Sequence, residues 1–241
     1  ECFIPNIIKF WGLQPVSKFA RAAAEFVNLY SKWRGVNRFP ALTMTFDLLA
    51  DWDKVRQRHV SMPEVPNLRR WIENETKLGN PALEAYCKTH PDEADMQNAL
   101  AWSKAVNVTV ADIVKGGLPP FPFVRESIEE AYERADIMVC SQTPTEALVR
   151  EGEEQDLSQH VFEICGQEMG TKGQHIEYAS KGRFESSKIL MIGDAFGDLK
   201  AARANNALFF PINPGEEDTS WQRLYEEGLG RFFSGTYAGA Y

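Results

Sequence analysis

Residues 188–198 read Lys188-Ile189-Leu190-Met191-Ile192-Gly193-Asp194-Ala195-Phe196-Gly197-Asp198. Four apolar residues run without a polar interruption and then stop at a glycine and an aspartate. So short and continuous an apolar run suits a strand buried on both faces, the habit of parallel sheets covered by crossover helices. Gly193 permits a tight exit from the strand, Asp194 stands at its tip, and Asp198 falls in the first turn of the next helix. Two carboxylates four residues apart around such a turn can face one small volume. Like charges that close need a cation or a proton between them. A few hard oxygen donors suit Mg²⁺, which keeps several waters and takes up substrate phosphate. The plainer reading of Asp198 is a carboxylate serving the helix dipole.

The same alternation continues on both sides of this stretch. Short apolar runs at 136–141, 161–165 and 207–212 read as strands. Helical patterns at 123–134, after Pro144, at 171–181 and at 197–205 separate them. Strand–helix alternation of this kind predicts an α/β fold, a Rossmann-like parallel sheet with helices on both faces. The alternation begins after Gly116-Gly117-Leu118-Pro119-Pro120-Phe121-Pro122, which no helix can cross. We therefore divide the chain into residues 1–118 and residues 119–241.

Residues 1–118 read as helix after helix. Pro15 and Ser17 open a segment in which Phe19, Ala23, Phe26, Tyr30 and Trp33 recur at helical spacing, and Pro40 starts another. Further helices are expected at 67–77, 81–89, 93–106 and 109–115. Trp11, Trp33, Trp52, Trp71 and Trp102 all fall in this half. Aromatic residues at helical spacing are the ridges of a packed bundle rather than a stacking platform for a cofactor.

Composition narrows the partners. The chain has 241 residues, with 26 Lys and Arg against 34 Asp and Glu and a net charge of −8. It carries no block of Lys and Arg, so neither nucleic acid nor a membrane is an expected partner. Cys2, Cys87, Cys140 and Cys165 lie far apart, without a CxxC pair. They read as reduced thiols of a cytoplasmic protein rather than a disulfide frame or a zinc site.

Two further stretches have polar chemistry where an α/β sheet places its sites, at the carboxyl ends of strands. In Met138-Val139-Cys140-Ser141-Gln142-Thr143-Pro144, a hydroxyl follows the apolar run directly. Ser141 and the backbone of Gln142 can hold an anion there, although Thr143 before Pro144 also reads simply as a helix cap. In Gly170-Thr171-Lys172-Gly173-Gln174-His175, a lysine between glycines opens a helix and can reach towards a phosphate held by neighbouring strand ends.

Taken in order, Ser141, Lys172 and Gly193-Asp194-x-x-x-Asp198 resemble the second, third and fourth motifs of the haloacid dehalogenase-like (HAD) hydrolase superfamily. The intervals are 31 residues from Ser141 to Lys172 and 22 from Lys172 to Asp194. The resemblance covers residues 119–213, and each motif is common singly; the ordered set carries it. It implies a phosphoglycolate-phosphatase-like branch, with residues 1–118 as a large helical cap. It further implies a Mg²⁺-dependent phosphomonoesterase acting on a small phosphorylated metabolite. Ser141 and Gln142 would bind the phosphoryl oxygens and Lys172 would neutralise charge. Asp194 would ligate the metal, and Asp198 would ligate it or orient its waters. Dehalogenase chemistry in the same superfamily needs no metal, and the acidic pair argues against it. A flavodoxin- or receiver-like module fits the large helical half badly.

The superfamily's first motif, a strand ending Asp-x-Asp whose first aspartate is the nucleophile, is not found. Thr45-Phe46-Asp47-Leu48-Leu49-Ala50-Asp51 is the nearest imitation, but Leu49 stands where the second aspartate belongs and the periodicity is helical. The chain opens Glu1-Cys2-Phe3 without Met, and the resemblance places the missing strand upstream of it. The chain as written is therefore expected to be inactive. The alternative is a non-catalytic HAD-like protein that binds phosphate or a partner. Arg34, Arg38, Arg69 and Arg70 are candidates to meet a substrate carboxylate, and 234–241 reads as a small flexible tail.

Overall fold

The computed structural model describes residues 2–115, 117–180 and 182–239. Gly116 of the expected break, Lys181 of the expected helix 171–181, and Ala240 and Tyr241 of the expected tail lie outside the described residues. The chain forms two compact units, residues 1–115 and 116–241.

The first unit is helical throughout its regular elements: α1 (Phe3–Phe10), α2 (Ser17–Glu25), α3 (Arg38–Asp51), α4 (Asp53–Arg56), α5 (Pro66–Asn74), α6 (Asn80–Thr89) and α7 (Ala94–Ile113). Proline is the first residue of α5 and the second of α6, where its missing N–H costs nothing. Trp102 is 1% exposed and sits among Phe3, Trp11 and Phe39, with ring centroids 6.2, 5.6 and 6.2 Å away. Phe39 in turn meets Trp71 edge-to-face at 5.3 Å. Trp71 and Trp102 are thus core, with Trp11 partly buried against them, as edge-on aromatic packing favours. Trp33 is only partly buried and Trp52 is 36% exposed, so the expected core role does not extend to all five.

Two helix expectations in this unit need correction. Residues 93–106 and 109–115 are one helix, α7, not two. Nothing in Asn107-Val108 breaks it, and Thr109 bonds back to the Ala105 carbonyl at 2.9 Å, within the turn. The helix opened by Ser17 does not run evenly to Trp33. After Glu25 it widens into a π turn, Phe26–Tyr30, closed by the Ser31 N–H on the Phe26 carbonyl at 2.8 Å.

The second unit is mixed α/β. Its elements are α8 (Val124–Tyr132), β1 (Met138–Cys140), α9 (Thr145–Glu154), β2 (Glu163–Cys165), α10 (Lys172–Ser180), β3 (Leu190–Gly193), α11 (Phe196–Ala204), β4 (Leu208–Pro211), α12 (Glu217–Arg223) and α13 (Leu229–Ser234). The strands are parallel but form two small sheets instead of the single one expected. β1 pairs with β2 in the register Cys140↔Cys165, and β3 pairs with β4 in the register Ile192↔Phe210. One helix layer serves both sheets. α10 packs on β1, α11 packs on β3 and β4, and the two helices pack on each other. Cys140 of β1 accordingly packs against the cluster of Ile176, Met191, Ala201 and Ala202.

The far side of β4 has its own apolar cluster, in which Phe210 meets Leu224, Leu229 and Phe232. The expected flexible tail is tied into it. Gly235 turns the chain with φ of 73°, and Tyr237, 4% exposed, donates its hydroxyl to the Phe209 carbonyl at 2.7 Å. A buried aromatic with its polar end satisfied holds the chain down.

Candidate functional site

The polar residues that follow the strands gather around one side chain, Asp198. It lies on the first turn of α11 and is 1% exposed. Its Oδ2 accepts the backbone N–H groups of Asp194 at 3.2 Å and Ala195 at 3.1 Å. That closes the turn between β3 and α11 by the helix-capping logic of a third-position carboxylate. Its other oxygen, Oδ1, accepts from Lys172 Nζ at 2.5 Å. Lys172 is the first residue of α10, so this ion pair joins the loop after β2 to the loop after β3. The carboxyl ends of both sheets therefore open on the same side.

Gly193 makes the arrangement possible. A Cβ there would lie 2.4 Å from Asp198 Cβ and 2.7 Å from its Oδ2. Only a residue without a side chain lets Asp198 fold back over the strand end. Asp194, at the tip of β3, is exposed. Asp198 thus holds the backbone that presents Asp194, while its own oxygens are both engaged.

On the other side, β1 ends in Cys140 and the chain turns at Ser141. The Ser141 N–H donates to the Cys165 carbonyl at 3.0 Å, extending the ladder by one residue. Its Oγ accepts the Thr143 N–H at 3.1 Å. The Gln142 side chain donates to the Gly170 carbonyl at 2.9 Å, linking this turn to the loop that carries Lys172. The expected cap at Thr143 is not made: Pro144 is the capping residue of α9, and the Thr143 carbonyl accepts from Gln167 N–H at 3.0 Å. Proline fixes its own φ there, and the first N–H of the helix is taken by a side-chain oxygen from outside it, that of Glu168.

Cys140 lies between these groups. Burial pushes its thiol up to about 12, and Cys165, Lys172 and Asp198 lie near enough to act on it electrostatically. Lys172 and the end of β1 are therefore close neighbours. His175, one turn along α10 from Lys172, is 1% exposed, and neither ring nitrogen has a hydrogen-bond partner. Burial is the main force lowering its pKa; the Gly166 and Gly170 backbones lie near the ring without reaching hydrogen-bond geometry. A neutral imidazole is the form such a pocket tolerates.

The structure thus brings Lys172, Asp198 and the Asp194 backbone into direct contact and links the Ser141–Gln142 turn to them through Gly170. Two participants escaped the sequence reading. Glu168 accepts from both the N–H and the hydroxyl of Thr145, at 3.0 and 2.8 Å, and this holds its carboxyl below the usual range. A lone glutamate in a loop gives no sequence signal. His175 did give one, since it lies three residues after Lys172 and beside Ile176 on the inward face of α10.

The candidate arginines of the helical unit already have partners. Arg69 makes a two-point contact with Asp47 at 2.7 and 3.2 Å, and Arg70 bonds Asn67 and Glu93 at 2.7 and 3.1 Å. Arg38 bonds Ser103 and Asn107, and Arg34 reaches the Leu29 carbonyl. Asp47, the imitation nucleophile, stands on the helix α3 and not on a strand.

Among the described residues no group of three or more His, Cys, Asp and Glu side chains is arranged to hold a metal ion. Of the two expected metal ligands, Asp194 is exposed at the strand tip, whereas both Asp198 oxygens are taken by Lys172 and two backbone N–H groups, so Asp198 is a turn-holding carboxylate and not a presented donor. One outward carboxylate fits a Mg²⁺ that keeps its waters and takes up phosphate, and it fits no closed cage. Among the described residues no helix is long and apolar enough to cross a membrane. Comparison of the chain with protein-family models, with curated proteins and with solved structures finds no match.

Proposed function

We propose that residues 116–241 are the core of a Mg²⁺-dependent hydrolase of the HAD superfamily, and residues 1–115 its helical cap. The substrate class is a small phosphorylated metabolite, cleaved through an aspartyl-phosphate. The observation that carries this reading is the Lys172–Asp198 ion pair at 2.5 Å, made beside Asp194 at the carboxyl ends of two parallel strand pairs. Asp198 also fixes the turn that presents Asp194.

In this reading each residue acts by position and charge. The Ser141 hydroxyl and Gln142 N–H would take phosphoryl oxygens at the end of β1. Lys172, held in place by Asp198, would neutralise negative charge on the transferring group. Asp194 would hold Mg²⁺, with Asp198 keeping it in register. When bound, Mg²⁺ supplies further charge neutralisation on the phosphoryl oxygens. The nucleophile would come from a fifth parallel strand ending Asp-x-Asp and lying between β1 and β3. That strand would join the two pairs into one Rossmann-like sheet and satisfy the backbone groups at their inner edges.

The test is hydrolysis of a panel of phosphorylated metabolites, with and without Mg²⁺, by the chain joined to such a strand. Turnover that needs both Mg²⁺ and the first aspartate supports the reading. Tight phosphate binding without turnover would favour a non-catalytic phosphate-binding protein instead.

A further inference from the structure

The loop after β1 and the loop after β2 are stitched together at three points. The Gln167 N–H donates to the Thr143 carbonyl at 3.0 Å, and the Gln142 amide donates to the Gly170 carbonyl at 2.9 Å. Between these, one oxygen of Glu168 accepts from both the N–H and the hydroxyl of Thr145, at 3.0 and 2.8 Å. Thr145 opens α9, so the Glu168 carboxylate satisfies an otherwise orphaned donor in the first turn of that helix.

The loops also touch sterically at this place. A Cβ on Gly166 would lie 2.3 Å from the Thr145 hydroxyl oxygen, 2.6 Å from its backbone nitrogen and 2.8 Å from the Thr143 carbonyl oxygen. Gly166 is the residue that lets the two loops close. Glu168 then fastens them, using a charged acceptor, the stronger kind of hydrogen bond.

We infer that Glu168 is a positioning residue for the anion site: through Thr145 it holds the Ser141–Gln142 turn in register with the loop that carries Lys172. The inference rests on the reading of Ser141, Gln142 and Lys172 as phosphate-binding groups. Its consequence follows from population arithmetic. If the two loops come apart, the fraction of molecules with both halves of the site in place falls, and apparent affinity falls by that same fraction. Glu168 touches no phosphate oxygen in this scheme and acts only through Thr145.

The experiment uses the 241-residue chain and inorganic phosphate as the probe, with affinity read by calorimetry and amide hydrogen exchange read in parallel. Wild type binds phosphate, and Lys172→Ala abolishes that binding. Glu168→Ala weakens binding about fivefold, the scale of one or two lost hydrogen bonds. Glu168→Gln, which still offers an oxygen to Thr145, recovers most of the loss. Adding Thr145→Ala to Glu168→Ala costs little more. Exchange rises together at 142–146 and 167–171 in Glu168→Ala and not elsewhere. Unchanged phosphate affinity in Glu168→Ala, beside a wild type that binds and a Lys172→Ala variant that does not, overturns the inference alone. Failure of wild type to bind, or full binding by Lys172→Ala, sinks the functional reading. The clamp is then judged by exchange alone, and a rise in only one loop, or in neither, overturns it.

Discussion

Lys172 Nζ lies 2.5 Å from Asp198 Oδ1, and Asp198 is 1% exposed while the lysine side chain keeps 27% of its exposure. The pair is asymmetric: the carboxylate is buried with three donors on it, and the ammonium reaches outward. Asp198→Asn should therefore destabilise residues 116–241 by about 2–3 kcal/mol. That is below the usual cost of breaking a fully buried pair, because Lys172 can turn to water. Gly193→Ala should cost a similar amount by displacing the same carboxylate, and the double variant should fall well short of the sum, since both changes break one arrangement. Hydrogen exchange over 190–204 measures all three. Additive losses would show that Gly193 and Asp198 are not coupled as described.

His175 carries a pH prediction whose sign follows from burial. Its pKa in the folded chain is lowered, with desolvation the largest cause, so between that value and about 6.5 the unfolded chain binds the proton and the folded one does not. Stability then rises with pH across this window, by at most about 1.4 kcal/mol per pH unit. As pH falls below about 6.5 the contribution of neutral His175 is lost progressively, and the loss stops growing at the folded pKa. His175→Leu should flatten that part of the stability–pH profile. A profile unchanged by the substitution would mean the ring is hydrated or paired.

These two cases show where the sequence was readable and where it was not. The strand–helix alternation after residue 118 and the turn Gly193-Asp194 to Asp198 are local patterns, and each appears in the structure within a few residues of its expected place. The sequence reads as two helices where the structure has one, α7, because neither Asn107 nor Val108 breaks a helix. The division into two sheets was not legible, because strand pairing is decided by partners distant in sequence and a short apolar run does not name its neighbour. Nor was it legible that both oxygens of Asp198 are already engaged. A spacing of four residues is equally compatible with two metal ligands and with one carboxylate holding the turn that displays the other.

Cys140 should be chemically quiet. Burial pushes its thiol up to about 12, so at neutral pH almost none is thiolate, the reactive form. Cys165, at 0% exposure, has its thiol pushed up by burial as well. Cys2, just before α1, and Cys140 are both partly exposed, so the raised thiol of Cys140, and not access, should make a maleimide at pH 7.5 label Cys2 first. Labelling of Cys140 should instead rise steeply with pH as its thiol ionises. Labelling of Cys140 at pH 7.5 as fast as Cys2 would show that its thiol is not held up as described.

The remaining prediction concerns turnover. Glu168 accepts from Thr145, and Asp198 accepts from Lys172 and two backbone N–H groups, while Asp194 is the proposed metal ligand. None of these carboxylates is placed as an in-line nucleophile by the proposed scheme, and metal ligation would occupy the lone pairs of Asp194. Residues 1–241 alone should therefore show no appreciable hydrolysis of a generic aryl phosphate. Binding and electrostatics without the nucleophile leave rates orders of magnitude below an intact enzyme. Joining a strand that ends Asp-x-Asp should yield Mg²⁺-dependent turnover, and changing its first aspartate to asparagine should remove it. Asp194→Ala in that joined protein should abolish the Mg²⁺ dependence with the activity. Robust Mg²⁺-dependent hydrolysis by residues 1–241 alone, lost on Asp194→Ala, would place the nucleophile within this chain. Asp47 and Asp51 on α3 would then be the first residues to substitute, and loss of activity in either would break the assignment of residues 1–115 as a cap.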